Sequence, residues 1–190
     1  MTTLVLVRHA TSTPPGADGL NEYQRQLTSL GLAEADALVD VLLGYAPDRI
    51  LSSPYLRSLQ TVRPAASALS LNVEPRNELR EWDSGIEPTP DWQRHYRRCW
   101  NRPTWATGAG ESHKALTVRA VAALQRCARE APESVTVIGS HGTWISRALQ
   151  GLGCDIDADF WFDMPMPAIY ALQLNEDALR SVNGPGLADR

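Results

Sequence analysis

Apolar runs of strand length alternate with longer stretches of helical periodicity along this chain, and that alternation constrains its fold more than any other feature. The run Leu4 to Val7 is apolar at every position, as a buried strand requires. In LTSLGLAEADALVDVLLGY, Leu32, Ala35, Val39, Leu42 and Leu43 recur at helical spacing, with Gly44 as the expected stop. DRILSS reads as a short strand. Ser53 and Pro54 suit the N-cap and first position of a helix through PYLRSLQTVRPAASAL, which Pro64 is expected to kink or end. LNVEP reads as another strand. After a long irregular segment come a helix in HKALTVRAVAALQRCARE, a strand in SVTVIGS, a helix in TWISRALQGLG and a last strand in AIYALQLN. The alternation implies an α/β fold, a three-layer α/β/α sandwich with a mainly parallel central sheet. The 190 residues fit one domain, 1–190, with a lid-like excursion at about 86–110.

Composition narrows the function classes. A formal charge of -4 and a pI near 5.5 argue against a general polyanion binder, so no nucleic-acid partner is expected. No stretch has the apolar length that spans a bilayer, and no charged region precedes LVLV as in a signal peptide. Cys99, Cys127 and Cys154 are scattered and form no CxxC pair, which suits reduced thiols better than a disulfide framework or a zinc site. A cytoplasmic protein with no membrane partner, metal or cofactor is the resulting expectation.

In mainly parallel sheets, ligands bind beyond the carboxyl ends of the strands. Arg8 and His9 end the first strand, Arg57 opens the helix after the second, Glu81 follows the third, and His141 follows SVTVIGS. These polar residues, distant in sequence, should converge on one edge. Two guanidiniums neutralise a phosphate dianion as one cannot. Beside them a neutral imidazole at His9 could attack phosphorus and hold the phosphoryl group covalently. His141, if protonated, could donate to a phosphoryl oxygen, and Glu81 could protonate the leaving alcohol and then take a proton from water. The set is complete for phosphoryl transfer without a metal.

The blocks LVLVRHATS, LSSPYLRSLQT, ELREWDSG, GES and VIGSHGTW, in that order, resemble the histidine phosphatase superfamily, the phosphoglycerate mutase-like proteins. The resemblance spans roughly residues 4 to 150. It implies a phosphohistidine at His9, phosphate binding by Arg8, Arg57 and His141, and Glu81 rather than Glu78 as proton donor. Two positions depart from the family pattern. Ala10 stands where many members have glycine. Pro15 stands about where many carry a phosphate-binding asparagine, which leaves Thr11 or Ser12 as substitute donors. The extended pattern that follows the histidine in the cofactor-dependent mutases is absent. A histidine acid phosphatase-type phosphomonoesterase acting on a small phosphorylated metabolite is therefore expected. The alternatives are mutase-type phosphoryl transfer, a protein phosphohistidine phosphatase, and a non-catalytic phosphate-sensing or protein-binding module. Neither the substrate nor the oligomeric state follows from the sequence.

Other features point elsewhere or nowhere. IGSHG is not a nucleophile elbow around Ser140, because Ile138 stands where glycine is needed. Asp155 to Asp159 (DIDAD) read as a solvated loop, and His95 and His113 as surface or lid residues. Residues 82–105 hold four of the six tryptophans, interleaved with Arg94, Arg97, Arg98 and Arg102. They either pack this excursion onto the sheet or form a lid that selects the non-phosphate part of a substrate.

Overall fold

The computed structural model describes residues 1–16 and 19–187. Strand β1 (Thr2–Arg8) is followed by α1 (Ser29–Ala37), α2 (Val39–Gly44), β2 (Arg49–Ser52), α3 (Leu56–Ala68) and β3 (Val73–Pro75). Then come a 3-10 turn (Asn77–Leu79), α4 (Trp92–Asn101), α5 (His113–Glu130), β4 (Val135–Ser140), α6 (Gly142–Gly151), α7 (Ala158–Asp163), β5 (Ala168–Asn175) and β6 (Ala178–Asn183). The strands form one six-stranded sheet in the order β3-β2-β4-β1-β5-β6. Pairings among β3, β2, β4 and β1 are parallel, and β5 and β6 add two antiparallel pairings at one edge.

The two-residue alternation of side chains along a strand divides the core between two faces. Leu4 and Leu6 of β1, with Ile138 of β4, join Leu116 and Leu124 of α5 and Trp144 and Leu149 of α6. Val5 and Val7, with Val137, join Ile50, Leu42 of α2, and Val62, Ala65 and Ala66 of α3. Both faces are covered, which is why β1 has no polar residue from Leu4 to Val7 and why the sandwich has three layers.

Several local expectations are corrected. The helix expected from Thr28 to Gly44 is two helices that meet at Leu38, with Thr28 capping the first through Gly31 N at 3.1 Å. Helix α3 starts at Leu56 rather than Pro54, with Tyr55 in the cap position, while the Ser53 hydroxyl accepts from Tyr55 N at 3.3 Å and lies 2.8 Å from His141 Nε2. Pro64 lies inside α3 without ending it. The flanking Val62, Ala65 and Ala66 are buried, and that burial outweighs the lost backbone bond. Asp155 to Asp159 are not all loop, since Asp157 caps α7 by accepting from Phe160 N at 2.8 Å. Strand β6 had no sequence signal, being mostly exposed and joined to β5 through Glu176 and Asp177 rather than a glycine-bearing turn.

The excursion after Glu81 has a pinched base. Glu111 N donates to Asp83 O at 2.8 Å, and a Cβ at Gly85 would fall 2.2 Å from Thr107 O. Only glycine, here with a φ of +66°, lets the outgoing and returning chain approach so closely. Between these points lies α4, in a stretch that the sequence reading left irregular.

Candidate active site

His9 is the first residue beyond β1, and its N–H donates to Ser140 O at 3.0 Å, which continues the β1–β4 ladder by one residue. The side chain is 7 % exposed. Nδ1 lies 2.8 Å from Ala10 O, and a carbonyl only accepts, so Nδ1 carries the proton. The lone pair of Nε2 then faces the Arg57 Nε–H at 3.2 Å. Burial, and after it the charge of Arg57, holds the His9 imidazole well below its ordinary pKa, with Arg8 and Arg25 adding to the effect against the opposing bond to Ala10. His9 is neutral at neutral pH, with Nε2 unprotonated.

Arg57, 2 % exposed in the first turn of α3, has a partner for every guanidinium nitrogen. Besides His9, Nη1 donates to Glu22 O at 2.8 Å and Nη2 meets Glu22 Oε2 at 3.0 Å. His141 follows β4 at the N-cap of α6, with Nε2 2.8 Å from Ser53 Oγ and its ring centroid 5.2 Å from that of His9. Its pKa is also pushed well below the imidazole value, by burial first, then by Arg57 and His9. The protonated His141 considered from sequence is therefore disfavoured, and any donation comes from an N–H of the neutral ring.

Glu81 sits just beyond the 3-10 turn, with its carboxylate across the N-terminus of α6. Oε1 accepts from Trp82 N at 2.8 Å and Trp144 N at 3.0 Å, and Oε2 accepts from Thr143 N at 3.2 Å. Burial raises its pKa above the ordinary carboxyl value, outweighing these bonds and the nearby Arg57. The turn that carries it is fastened from several sides. Arg119 Nη1 donates to Glu78 O at 2.8 Å and Arg80 O at 2.9 Å, and Arg119 forms a bidentate pair with Glu111 at 2.6 and 2.9 Å. Trp144 Nε1 donates to Glu78 O at 2.9 Å and Ser140 Oγ to Leu79 O at 2.8 Å. Glu111 is the carboxylate of the GES block, and this pairing gives that block a physical role.

His9, Arg57, His141 and Glu81 thus share one edge of the sheet. Arg8 projects to the face opposite Val7, as alternation along a strand dictates. Its Nη1 donates to Met164 O and to Pro165 O, the latter at 3.2 Å. Its Nε, buried without a partner among the described residues, lies where a Cβ on Gly142 would come within 3.1 Å. Arg8 therefore reaches the start of α6 from beneath, and its charge acts on His9 without a direct bond to it.

Arg25, in the loop before α1, was not anticipated. It donates to Thr13 O at 2.9 Å, to Ser12 Oγ at 3.2 Å and to both Glu22 carboxylate oxygens at 2.9 Å. Its charge depresses the pKa of His9, Arg57 and His141 alike. Among the described residues, no bond commits the hydroxyl hydrogen of Thr11 or Ser12, the substitute donors expected from sequence. Ser12 Oγ accepts from Arg25, and the Thr11 backbone N–H goes to Glu34 at 2.9 Å. An arginine in a polar turn has no periodic or strand-end context to single it out.

The tryptophans of segment 82–105 divide by burial. Trp82 and Trp100 are buried in the main core, whereas Trp92 is exposed. Helix α4 docks on α7 through Arg97, which pairs with Asp159 at 2.9 Å and lies 4.6 Å from the Phe162 ring centroid. Tyr96 of α4 faces inward, its hydroxyl pKa raised by burial and then by Glu81 and Glu22. His95 is half-buried, but His113 is a correction. It is fully buried between Trp82 and Trp100, at centroid distances of 4.5 and 5.1 Å, and burial lowers its pKa to about 3. Burial also pushes the Cys99 and Cys127 thiols up to about 11, the opposite of an activated thiolate. Among the described residues, no cluster of His, Cys, Asp and Glu side chains is arranged to hold a metal ion, and no helix is long and apolar enough to cross a membrane.

The sequence pattern of the histidine phosphatase superfamily (branch 1) matches residues 4–183. No curated protein sequence matches the chain. Among solved structures it is similar to a mutant of phosphoserine phosphatase from Entamoeba histolytica in complex with phosphoserine. The identity is 21 %, the match covers 96 % of this chain and 97 % of that one, and the TM-score is 0.75. A mycobacterial glucosyl-3-phosphoglycerate phosphatase aligns at 20 % identity over 96 % of each chain, with a TM-score of 0.73. Bacillus stearothermophilus YhfR aligns at 20 % identity over 100 % of this chain and 98 % of that one, with a TM-score of 0.79. At these identities the structures share the fold. With the family pattern running from β1 into β6, the chain belongs to the histidine phosphatase superfamily, branch 1.

Proposed function

We propose that this protein is a metal-independent phosphomonoesterase that hydrolyses a small phosphorylated metabolite through a phosphohistidine on His9. The observation that carries this reading is the tautomer of His9. The Ala10 carbonyl holds the proton on Nδ1, and burial among arginines keeps the Nε2 lone pair free and directed at the Arg57 fork. In the first step Nε2 attacks phosphorus, the P–O ester bond breaks, and the leaving oxygen takes the proton of the Glu81 carboxylic acid. In the second step the Glu81 carboxylate takes a proton from water, the water oxygen bonds to phosphorus, and the P–N electron pair returns to Nε2. Arg57, Arg8 and Arg25 supply positive charge around the transferring group, and His141 donates one hydrogen bond to it. The raised pKa of Glu81 suits the acid role in the first step.

The phosphatase neighbours, whose names include phosphoserine and glucosyl-3-phosphoglycerate, favour a small phosphorylated substrate. Helix α4, whose Tyr96 hydroxyl feels the charge of Glu81, forms part of a lid over the non-phosphate portion of that substrate. The test is phosphate release from a panel of phosphomonoesters with chelator present, for wild type and His9→Ala. Turnover that survives chelator and disappears in the variant, with the thermal transition retained, is expected. Turnover that persists in His9→Ala, or stops with chelator, would refute the mechanism. A rearranged phosphate ester in place of inorganic phosphate would assign the chain to the mutases.

A further inference from the structure

The Arg57 fork is shared. Nε and Nη2 form one edge of the planar guanidinium, the edge that can hold two oxygens of an oxyanion side by side. Here Nε meets His9 Nε2 at 3.2 Å, while Nη2 meets Glu22 Oε2 at 3.0 Å. The Glu22 carboxylate therefore lies along the same edge as the nucleophilic nitrogen, and it also takes Arg25 Nη1 through both of its oxygens at 2.9 Å. A phosphoryl group on Nε2, with oxygens directed at this edge, needs the position that Glu22 holds.

The partners differ in freedom. The side chains of Arg57 and Arg25 are 2 % and 12 % exposed, that of Glu22 is 46 % exposed, and so the anion is the partner that can swing into solvent at little cost. The backbone around it is fixed independently, with Leu56 N donating to Tyr23 O at 2.9 Å and Arg57 N to Arg25 O at 3.1 Å. Arg57 also keeps its bond from Nη1 to Glu22 O, 2.8 Å, whatever the carboxylate does, so the guanidinium stays oriented while its anion changes.

We propose that Glu22 is a tethered competitor for the phosphate seat. Its carboxylate leaves Arg57 and Arg25 when a phosphate dianion enters, and returns to displace inorganic phosphate after hydrolysis. This rests on the phosphatase reading above. Several guanidiniums around a dianion bind the product as well as the transition state, and uniformly tight binding slows turnover at release. An anion on a short tether competes at high effective concentration and weakens every ligand that must displace it. Glu22 therefore sets the affinity for product without touching the reacting atoms.

The test is calorimetric binding of inorganic phosphate at mildly alkaline pH, with product inhibition measured in parallel, for wild type, Glu22→Gln and Glu22→Asp. Removing a competing contact of this exposure should tighten phosphate binding about three- to tenfold in Glu22→Gln. The inhibition constant for phosphate should fall by the same factor. Glu22→Asp, which keeps the charge but is too short to span both arginines, should tighten it as well. Equal or weaker phosphate binding in Glu22→Gln would mean that Glu22 only orients the arginines, and would overturn the proposal. So would tightening in Glu22→Gln alone, which would trace the effect to long-range charge. A wild-type protein that neither hydrolyses esters nor binds phosphate would instead overturn the phosphatase reading, and this proposal with it.

Discussion

His9 and His141 stand one residue beyond adjacent parallel strands, whereas Glu81 hangs on a turn held by side chains from α5, β4 and α6. Around His9, the register that pairs Arg8 with Ser140 also sets the 5.2 Å between the two imidazoles, so backbone ladders fix the geometry. Around Glu81, three carbonyls of the turn are gripped by Arg119, Trp144 and Ser140, so side-chain bonds fix it. Sheet geometry tolerates little variation, while a turn held by side chains can be retuned by single substitutions. The His9 region should accordingly break all at once, and the Glu81 region by degrees.

The largest graded effect is expected at the acid itself. Glu81→Gln should slow alkyl phosphates by about a hundredfold or more, and p-nitrophenyl phosphate far less, because that leaving group needs little protonation. The pH profile should show the same asymmetry. With the Glu81 pKa raised and the His9 pKa far below 6.5, wild-type activity on alkyl esters should hold across mildly acidic pH and decline as Glu81 loses its proton. Equal slowing of both ester types would remove Glu81 from the acid role.

Arg119→Met should cost alkyl esters about tenfold, with the same bias toward poor leaving groups, because it loosens the turn without removing the acid. Restoration by Arg119→Lys should be partial, since an ammonium cannot reproduce the fork on Glu111. A loss independent of the leaving group would assign Arg119 to folding alone, and the contrast between the two sides would weaken.

The smallest effect concerns stability. His113 packs against Trp82, the neighbour of Glu81, and its imidazole titrates near 6.5 when unfolded and about 3 when folded. The unfolded chain binds the proton first. Its contribution is therefore complete above the unfolded value and declines as pH falls toward the folded one, by about 1 kcal/mol between about pH 6 and about pH 5. Denaturant melts across this range should fall less steeply in His113→Leu than in wild type. Identical slopes would mean that the buried ring is not a source of acid sensitivity.

The same contrast explains what the sequence disclosed. Leu4 to Val7 could only be a strand covered on both sides, and a polar pair at the end of such a strand stands out, so Arg8 and His9 were legible, and Arg57 and His141 through the ends of two further strands. Glu81 was legible through its block of neighbours rather than through any periodicity. Arg25 and Glu22 lie in a polar turn whose residue types are ordinary for solvated loops, and only the tertiary path brings them to Arg57. His113 looked superficial because a polar residue in the first turn of a helix usually is, and its burial depends on Trp82 and Trp100 folding over it. Helix α4 escaped because its Arg and Trp residues divide between α7, through Arg97 and Trp92, and the main core, through Trp100.

If His9 Nε2 takes the phosphoryl group as proposed, the adduct can be trapped. Wild-type protein and His9→Ala would be mixed with a rapidly turned-over phosphomonoester, quenched in denaturant at alkaline pH, and analysed by peptide mass spectrometry. One added phosphoryl group is expected on the peptide containing His9, lost on acid treatment and absent from the variant. An acid-stable adduct, or one that persists on another residue in His9→Ala, would contradict it.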